Sequence, residues 1–242
     1  MNYDKIREII SENGYDIFDR SNKVYRSELD YKEFKYKEYD TIKFKNRWLF
    51  SRNNPSLNYI YIEDKENKYF VFKLYYKRDI LGFVVRDYNT GSYRIIKNYK
   101  YPYNIYLSSR FIDILESEEK LDMNYPIVFV EGVLDCEAVS EIYPLVVAYL
   151  GKFMSKNVIE LFKRISRKLI MIPDSDAIDY VIKEKGRTIK RHNIEVIKLP
   201  RWIKDPFLLI NYSKGQEIKR NEISSIIMSL EYLNMYMDKG KK

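Results

Sequence analysis

The sequence predicts a mixed α/β protein: a parallel sheet flanked by helices, preceded by a smaller basic α+β subdomain of antiparallel strands. Three observations predict it. Between Ile127 and Leu199, short uninterrupted apolar runs alternate with segments of helical period, as expected of strands buried on both faces and joined by crossover helices. Between Tyr59 and Lys97, β-favouring stretches are separated only by short turn sequences, which suits strands paired antiparallel to their chain neighbours. The charge divides in the same way. The 242 residues carry a net +8, but residues 41–110 hold 14 Lys/Arg against five Asp/Glu, a net +9, and the remainder sums to −1.

In chain order, Asp4–Asn13 reads as a short amphipathic helix with Ile6, Ile9 and Ile10 on one face and Gly14 as its stop. Residues 15–58 carry no clear period. Tyr59–Glu63, Tyr69–Tyr76, Ile80–Arg86 and Tyr93–Lys97 read as strands, with turns at Asp64–Asn67, Arg78-Asp79 and Asn89-Thr90-Gly91. The acidic stretch Asp113–Asp122 before Tyr125-Pro126 suits a linker or helix. The apolar runs Ile127–Val130, Leu145–Ala148, Leu169–Ile172 and Glu195–Leu199 then alternate with helical segments. These are Asp135–Ile142, Lys156–Ile165 with Ser155 as N-cap, and Ala177–Lys185 with Gly186 as stop. Glu222–Met237 forms a last helix whose stripe Ile223, Ile226, Ile227, Leu230 and Leu233 suits packing on the sheet. The expected division is a basic subdomain at 1–110, a linker at 111–124, the α/β domain at 125–212 and a C-terminal helix at 213–242.

The composition narrows the chemistry. One cysteine, Cys136, excludes an internal disulfide framework and a multi-cysteine zinc ribbon, and one histidine, His192, argues against a Ser-His-Asp triad or a His-rich metal site. No apolar run approaches the roughly 20 residues of a membrane helix, and Met1–Ser11 lacks the apolar core of a secretion signal. A cytoplasmic location is the expectation. In the basic segment, cations alternate with aromatic residues, as in Lys73–Arg78 and Tyr93–Tyr103, a pattern that suits phosphates and stacked bases. A compositional richness in Lys, Tyr, Asn and Ile would give the same pattern.

The sharper signal is acidic. The first apolar run of the α/β segment ends at Glu131, and the third at Asp174, with Asp176 two residues later. Were these strands parallel neighbours, three carboxylates would meet at one sheet edge, where ligands of such sheets sit. Like charges that close repel, and an all-oxygen set suits Mg²⁺ or Mn²⁺. Either aspartate alone would read better as a helix cap, and it is the strand-final Glu-Gly together with Asp-x-Asp that points to a metal.

At these residues the chain resembles the Toprim domain shared by bacterial and phage primases, topoisomerases and some nucleases. Val128–Asp135 is similar to the Glu-Gly-x-x-Asp motif after the first strand, Val147–Gly151 to the second strand and its glycine, and Leu169–Asp176 to the Asp-x-Asp strand. Leu199-Pro200 followed by Lys204-Asp205-Pro206 resembles the primase version. Upstream, Ile80–Arg86 resembles the Gly-Phe-x-x-Arg strand of primase cores, and Tyr93–Lys97 the basic strand that follows it in phage primases. The chain departs from the family in three places. With Cys136 as the sole cysteine, no Cys-rich zinc module stands in this sequence. No phosphate-binding loop of the helicase-fused forms occurs. Pro173 stands where an aliphatic or aromatic residue would precede the Asp-x-Asp.

The resemblance implies a phage-type DNA primase core that makes short RNA primers on single-stranded DNA by metal-dependent nucleotidyl transfer. It implies catalytic and metal-holding roles for Glu131, Asp174 and Asp176, with Asp135 and Asp205 as further metal-side carboxylates, and Mg²⁺ or Mn²⁺ without zinc. Arg86, Arg94, Lys97 and Lys204 would bind nucleotide or nucleic acid, and Tyr93, Tyr99 and Tyr101 would stack on bases. The partners would be a single-stranded DNA template, ribonucleoside triphosphates and a replicative helicase, with no membrane, and the location a host cytoplasm for a phage protein. The same acids would serve a Toprim nuclease, and a degenerate site would leave a non-catalytic nucleic-acid-binding protein.

Overall fold

The structure is a computed structural model, and it describes residues 42–44, 47–49, 59–63, 68–76, 79–87, 93–97, 104–117, 124–215 and 226–233. The expected helix Asp4–Asn13, Tyr99, Tyr101 and Ile223 lie outside the described residues. The chain divides into two compact units, Met1–Pro102 and Tyr103–Lys242.

In the first unit, β1 (Ile42–Phe44) and β2 (Arg47–Leu49) pair antiparallel within the weakly patterned residues 15–58. A second sheet runs in chain order, β3 (Tyr59–Glu63), β4 (Lys68–Tyr76), β5 (Asp79–Asp87) and β6 (Tyr93–Lys97), all antiparallel as expected. The β4–β5 register shifts between Leu74 and Tyr75, a bulge of the kind that bends a strand pair. Val71, Phe72 and Leu74 on β4 and Phe83, Val84 and Val85 on β5 are buried. Consecutive burial explains why these central strands read as apolar runs rather than as clean alternation.

The second unit is built on a five-stranded sheet in the order β11-β10-β8-β9-β7. Its parallel strands are β8 (Ile127–Val130), β9 (Val146–Ala148), β10 (Leu169–Met171) and β11 (Ile194–Val196). β7 (Tyr106–Leu107) adds an antiparallel edge against β9. Helices α1 (Ser109–Glu116), α2 (Val133–Ser140), α3 (Lys156–Lys163), α4 (Ile178–His192) and α5 (Pro206–Gly215) follow in chain order, and residues 226–233 are helical. The three inner strands β8, β9 and β10 are buried at every position, and Phe129 meets Phe162 of α3 edge to face at 5.1 Å, a geometry that aromatic pairs favour. Among the described residues, no helix is long and apolar enough to cross a membrane.

One expected helix stop is revised, and helices cross two of the expected boundaries. Residues 109–116, which straddle the expected end of the basic subdomain and the start of its linker, form α1, and Phe111 and Ile112 are buried. Ser108 caps this helix by accepting the Phe111 N–H at 3.2 Å, which leaves the contact division at Pro102/Tyr103. Gly186 does not stop α4. The helix continues to His192 and ends at Asn193, whose backbone is left-handed at φ 50°, a conformation that asparagine tolerates better than most residues. Finally, α5 crosses the expected 212/213 boundary. Pro206 opens it and Asp205 accepts the Leu208 N–H at 2.9 Å, an Asp-Pro start that suits a helix N-terminus.

A β-carbon added at Gly186 would meet nothing within 4 Å. Gly186→Ala therefore gains helix propensity without a clash and should stabilise the fold by about 0.5–1 kcal/mol. The urea midpoint reads this directly, and an unchanged or lower midpoint would contradict a continuous α4.

The edge strand is fastened by one carboxylate. Glu137 Oε1 accepts Tyr106 Oη–H at 2.5 Å, Ser109 N–H at 3.0 Å and Ser109 Oγ–H at 3.1 Å. Burial pushes the Glu137 pKa up, and these donors oppose that shift. Glu137→Ala strands three donors beside a core, so it should cost about 2 kcal/mol and speed hydrogen exchange across residues 106–112. Unchanged exchange there would show that the clamp is not what holds the edge.

Candidate active site

The chain leaves β8 for β9 on one side, then crosses to β10 and β11 on the other. The direction of the sheet order therefore reverses between β8 and β10, and the crevice at the carboxyl ends of such a strand pair is where open α/β sheets bind ligands. Glu131 follows β8, and Asp174 and Asp176 follow β10, so both acidic motifs reach that crevice. The register makes this exact in level: Phe129 pairs with Met171, and Ile172 N–H donates to Phe129 O at 2.8 Å. Pro173 comes after this last ladder bond, where its missing N–H costs nothing on the β8 side.

The loops at this edge are held by backbone bonds. Tyr149 N–H donates to Val130 O at 3.0 Å and Leu150 N–H to Glu131 O at 3.1 Å, with Leu150 left-handed at φ 46°. Ser175 N–H donates to Lys204 O at 2.8 Å, which fastens the Asp174–Asp176 turn to the segment after β11. Asp135 works across the site. One of its oxygens accepts Gly132 N–H at 3.1 Å and the other accepts Phe207 N–H at 3.1 Å, so it joins the start of α2 to the start of α5. A β-carbon at Gly132 would lie 2.7 Å from Asp135 Oδ2, so any larger residue there would have to displace this carboxylate.

The electrostatics show how closely the acids gather. Asp174 is half-buried, and burial first, then the charges of Asp135, Glu131, Asp205 and Asp176, push its pKa up to about 9. Burial and Asp176 raise Glu131, while Lys204 and Lys152 pull it back down. Five carboxylates thus face two lysines. Asp174 Oδ1 is buried and, among the described residues, has no hydrogen-bond partner. Asp135 and Asp205 are buried, and Asp176 is exposed.

Among the described residues, no group of three or more His, Cys, Asp or Glu side chains is arranged to hold a metal ion. The arrangement does fit a hard dication of the kind held by one or two carboxylates, with water or phosphate oxygens completing its shell. The donors are all carboxylate oxygens, one is a buried acceptor without a partner among the described residues, and the charge imbalance is negative.

All five acids expected from the sequence come together here, as does Lys204. Arg86, Arg94 and Lys97 belong to the other unit, on β5 and β6. Arg86 pairs in register with Tyr93 and is half-buried; Arg94 pairs with Val85 and Lys97 with Gly82. Strand alternation puts the Arg86 and Lys97 positions on one face of that sheet and the Arg94 position on the other. Sequence reasoning missed Lys152, whose signal was its place directly after the glycine that follows β9. Cys136 is buried, and burial raises its pKa, as expected of a small apolar core residue.

No family model and no curated protein sequence matches the chain. Among solved structures it is similar to the E. coli primase catalytic core, at 18% identity and TM-score 0.48 over 69% of this chain and 57% of that one. It is also similar to the zinc-binding and RNA polymerase domains of the Aquifex aeolicus primase, at 20% identity and TM-score 0.46 over 71% and 44%. A DNA primase domain from Pseudomonas aeruginosa matches at 17% identity and TM-score 0.44 over 70% and 56%. The chain spans about half the length of these proteins.

Proposed function

We propose that this chain is a phage-type DNA primase that joins ribonucleotides into short primers on single-stranded DNA. One observation carries the reading. Glu131 and Asp174 stand at the carboxyl ends of adjacent parallel strands at the switch point of the sheet, with a buried Asp174 oxygen that has no hydrogen-bond partner among the described residues. The order of the Glu-Gly-x-x-Asp, Asp-x-Asp and Lys-Asp-Pro segments supports the same reading.

In the reaction, a primer 3′-hydroxyl attacks the α-phosphorus of a ribonucleoside triphosphate. An O–P bond forms, the bond to pyrophosphate breaks, and the hydroxyl proton leaves to solvent. Mg²⁺ or Mn²⁺, when bound, supplies positive charge to an anionic transition state. Glu131 and Asp174, with Asp176 at the exposed rim, are the residues to hold it. Asp135 and Asp205 keep the loops in place around them. Lys204 and Lys152 offer charge to phosphates, and Arg86, Arg94 and Lys97, on the two faces of the first unit's sheet, bind nucleotide or nucleic-acid phosphates in this proposal. The partners are the DNA template, ribonucleoside triphosphates and a replicative helicase, in the host cytoplasm.

The test is incubation of the pure protein with single-stranded DNA, labelled ribonucleotides and Mg²⁺. Labelled short RNA that requires both metal and template is the expected product. Shortened DNA would replace this reading with a nuclease, and a gel shift without product with a binding protein.

A further inference from the structure

Outside the basic segment the charges nearly cancel, yet α4 breaks the balance. Its residues 183–191 hold five Lys/Arg against one acid, Glu184. At about 100° per residue, Lys183, Arg187 and Lys190 share an arc of roughly 60°, with Arg191 at its flank, on the side opposite the buried Val181. All four cations are exposed, and no acid among the described residues pairs with them. Asp179 stands at the end of the arc nearest the site. The helix dipole accounts for Lys190 and Arg191 in the last turn, but its reach ends before Lys183 and Arg187. The arrangement costs the fold stability. Lys183–Arg187 and Arg187–Arg191 are like-charge pairs four residues apart, which repel. Gly186 lies in the same row, three residues after Lys183 and four before Lys190. A β-carbon there would meet nothing within 4 Å, so packing does not ask for a glycine that weakens the helix. What it leaves is bare backbone between cations, open to the close approach of a polyanion.

The place and spacing of the row select the ligand. α4 opens two residues after Asp176 and returns to the amino end of β11, so the row starts about 8 Å along the helix from the acid turn and leads away from it. Lys183 to Lys190 spans about 10 Å, the length of three phosphates along one strand of a duplex. Lys185 Nζ sits over the rings of Phe153 and Tyr180, at 5.9 and 5.8 Å, so the row offers charge without a ring face. That suits a duplex, whose bases are already stacked, more than a single strand, whose bases need a platform. Exposed Ile182 points about 100° away from Lys183, so no apolar face accompanies the cations into a bilayer.

We propose that the exposed face of α4 is a track for the backbone of a nucleic-acid duplex, with Lys183, Arg187 and Lys190 on successive phosphates and Gly186 giving the backbone room. This rests on the reading of the acids as a phosphoryl-transfer site, and it gives the double-stranded product of that site a path outward.

The probe is a labelled short RNA–DNA hybrid, titrated into the full-length chain by anisotropy over a range of salt concentrations. The triple variant Lys183→Gln, Arg187→Gln, Lys190→Gln should bind it more weakly, with the slope of log affinity against log salt reduced by about 2–3. All three side chains are exposed, so the fold should be kept. The control removes equal charge from exposed positions elsewhere, with Lys156→Gln, Arg164→Gln and Arg167→Gln on α3 and the turn after it; its slope should change by less than half as much. Equal slopes for wild type and the α4 variant, or equal losses in the two variants, would overturn the track. A larger loss for the unpaired DNA strand than for the hybrid would overturn its assignment to duplex. Unchanged hybrid binding with lost binding to phosphatidylserine vesicles would make the row a membrane surface instead. Primer synthesis, measured on the same samples, separates this inference from the reading beneath it. A slope that depends on the row without any RNA product keeps the track and removes the primase. Product from wild type with a slope that ignores the row keeps the primase and removes the track.

Discussion

Glu131→Gln and Asp174→Asn should each lower metal-dependent primer synthesis by about 10²–10³-fold or more, while far-UV circular dichroism stays that of the folded chain. Both exchanges keep shape and replace an ionisable carboxyl, which a bound dication would hold ionised, with a neutral amide at the switch point between β8 and β10. For Asp174 the fold should gain what the reaction loses. Its Oδ1 is buried without a hydrogen-bond partner among the described residues, and burial plus four neighbouring acids push its pKa up to about 9 from an ordinary 3.8. The sign follows from proton counting. Between these two values the folded chain keeps a proton that the unfolded chain has lost, so stability falls as pH rises across that window. It is fully present below about pH 4 and is lost as pH passes through about 9. Asp174→Asn fixes the neutral state, so its advantage over wild type should be nil at pH 4 and about 2 kcal/mol at pH 9, after allowing for partial solvent screening. Mg²⁺ should narrow the gap by stabilising wild type only. Parallel stability curves for the two proteins across pH 4–9 would show that Asp174 carries no such strain, and retained synthesis in both folded variants would remove the site.

That strain was half legible in the sequence. Apolar runs that end in Glu131 and in Asp174-Ser175-Asp176 announced two strands and three acids, because a buried parallel strand needs only four or five apolar residues to be recognised. Their adjacency was an inference from chemistry, and the β8–β10 pairing supplies it. Other elements were too local or too distant for a pattern. β7 is two residues long and exists only through its pairing with β9 and the Glu137 clamp, so no periodicity could reveal it. Gly186 resembled a helix stop because glycine weakens helices, but that cost, about 1 kcal/mol, is smaller than what the rest of a 15-residue helix recovers. The roles of Asp135 and Asp205 were hidden for a different reason. Both read as metal-side carboxylates, and both also accept backbone N–H groups at helix starts. For Asp135 one of those lies 72 positions away, a distance over which spacing carries no signal.

Asp135→Ala should therefore be the most destabilising of the acidic substitutions, at about 4 kcal/mol, a fall of roughly 8–16 °C in Tm for a chain of this size. It removes the acceptor of Gly132 N–H and that of Phe207 N–H together, and the second of these donors is buried, with no water to replace the lost partner. One effect opposes the loss. Asp135 is the foremost charge raising the Asp174 pKa, so its removal relaxes the crowding and lets Asp174 ionise at lower pH. Coulomb relief with a half-buried Asp174 is worth less than one buried and one part-buried donor left without acceptors, so the loss wins. Asp135→Asn divides the two effects. Its amide oxygen serves one donor while its NH₂ meets the other donor head-on, so roughly half the stability should return, and the Asp174 pKa should fall as it does in the alanine variant. Chemical denaturation and a pH titration of Asp174 by NMR read both quantities. Were Asp135 a metal ligand and not a clamp, Asp135→Ala would weaken Mg²⁺ binding at unchanged stability. The geometry requires the reverse order: the joint between α2 and α5 opens first, and the acids lose their spacing because the loops that carry them are no longer held.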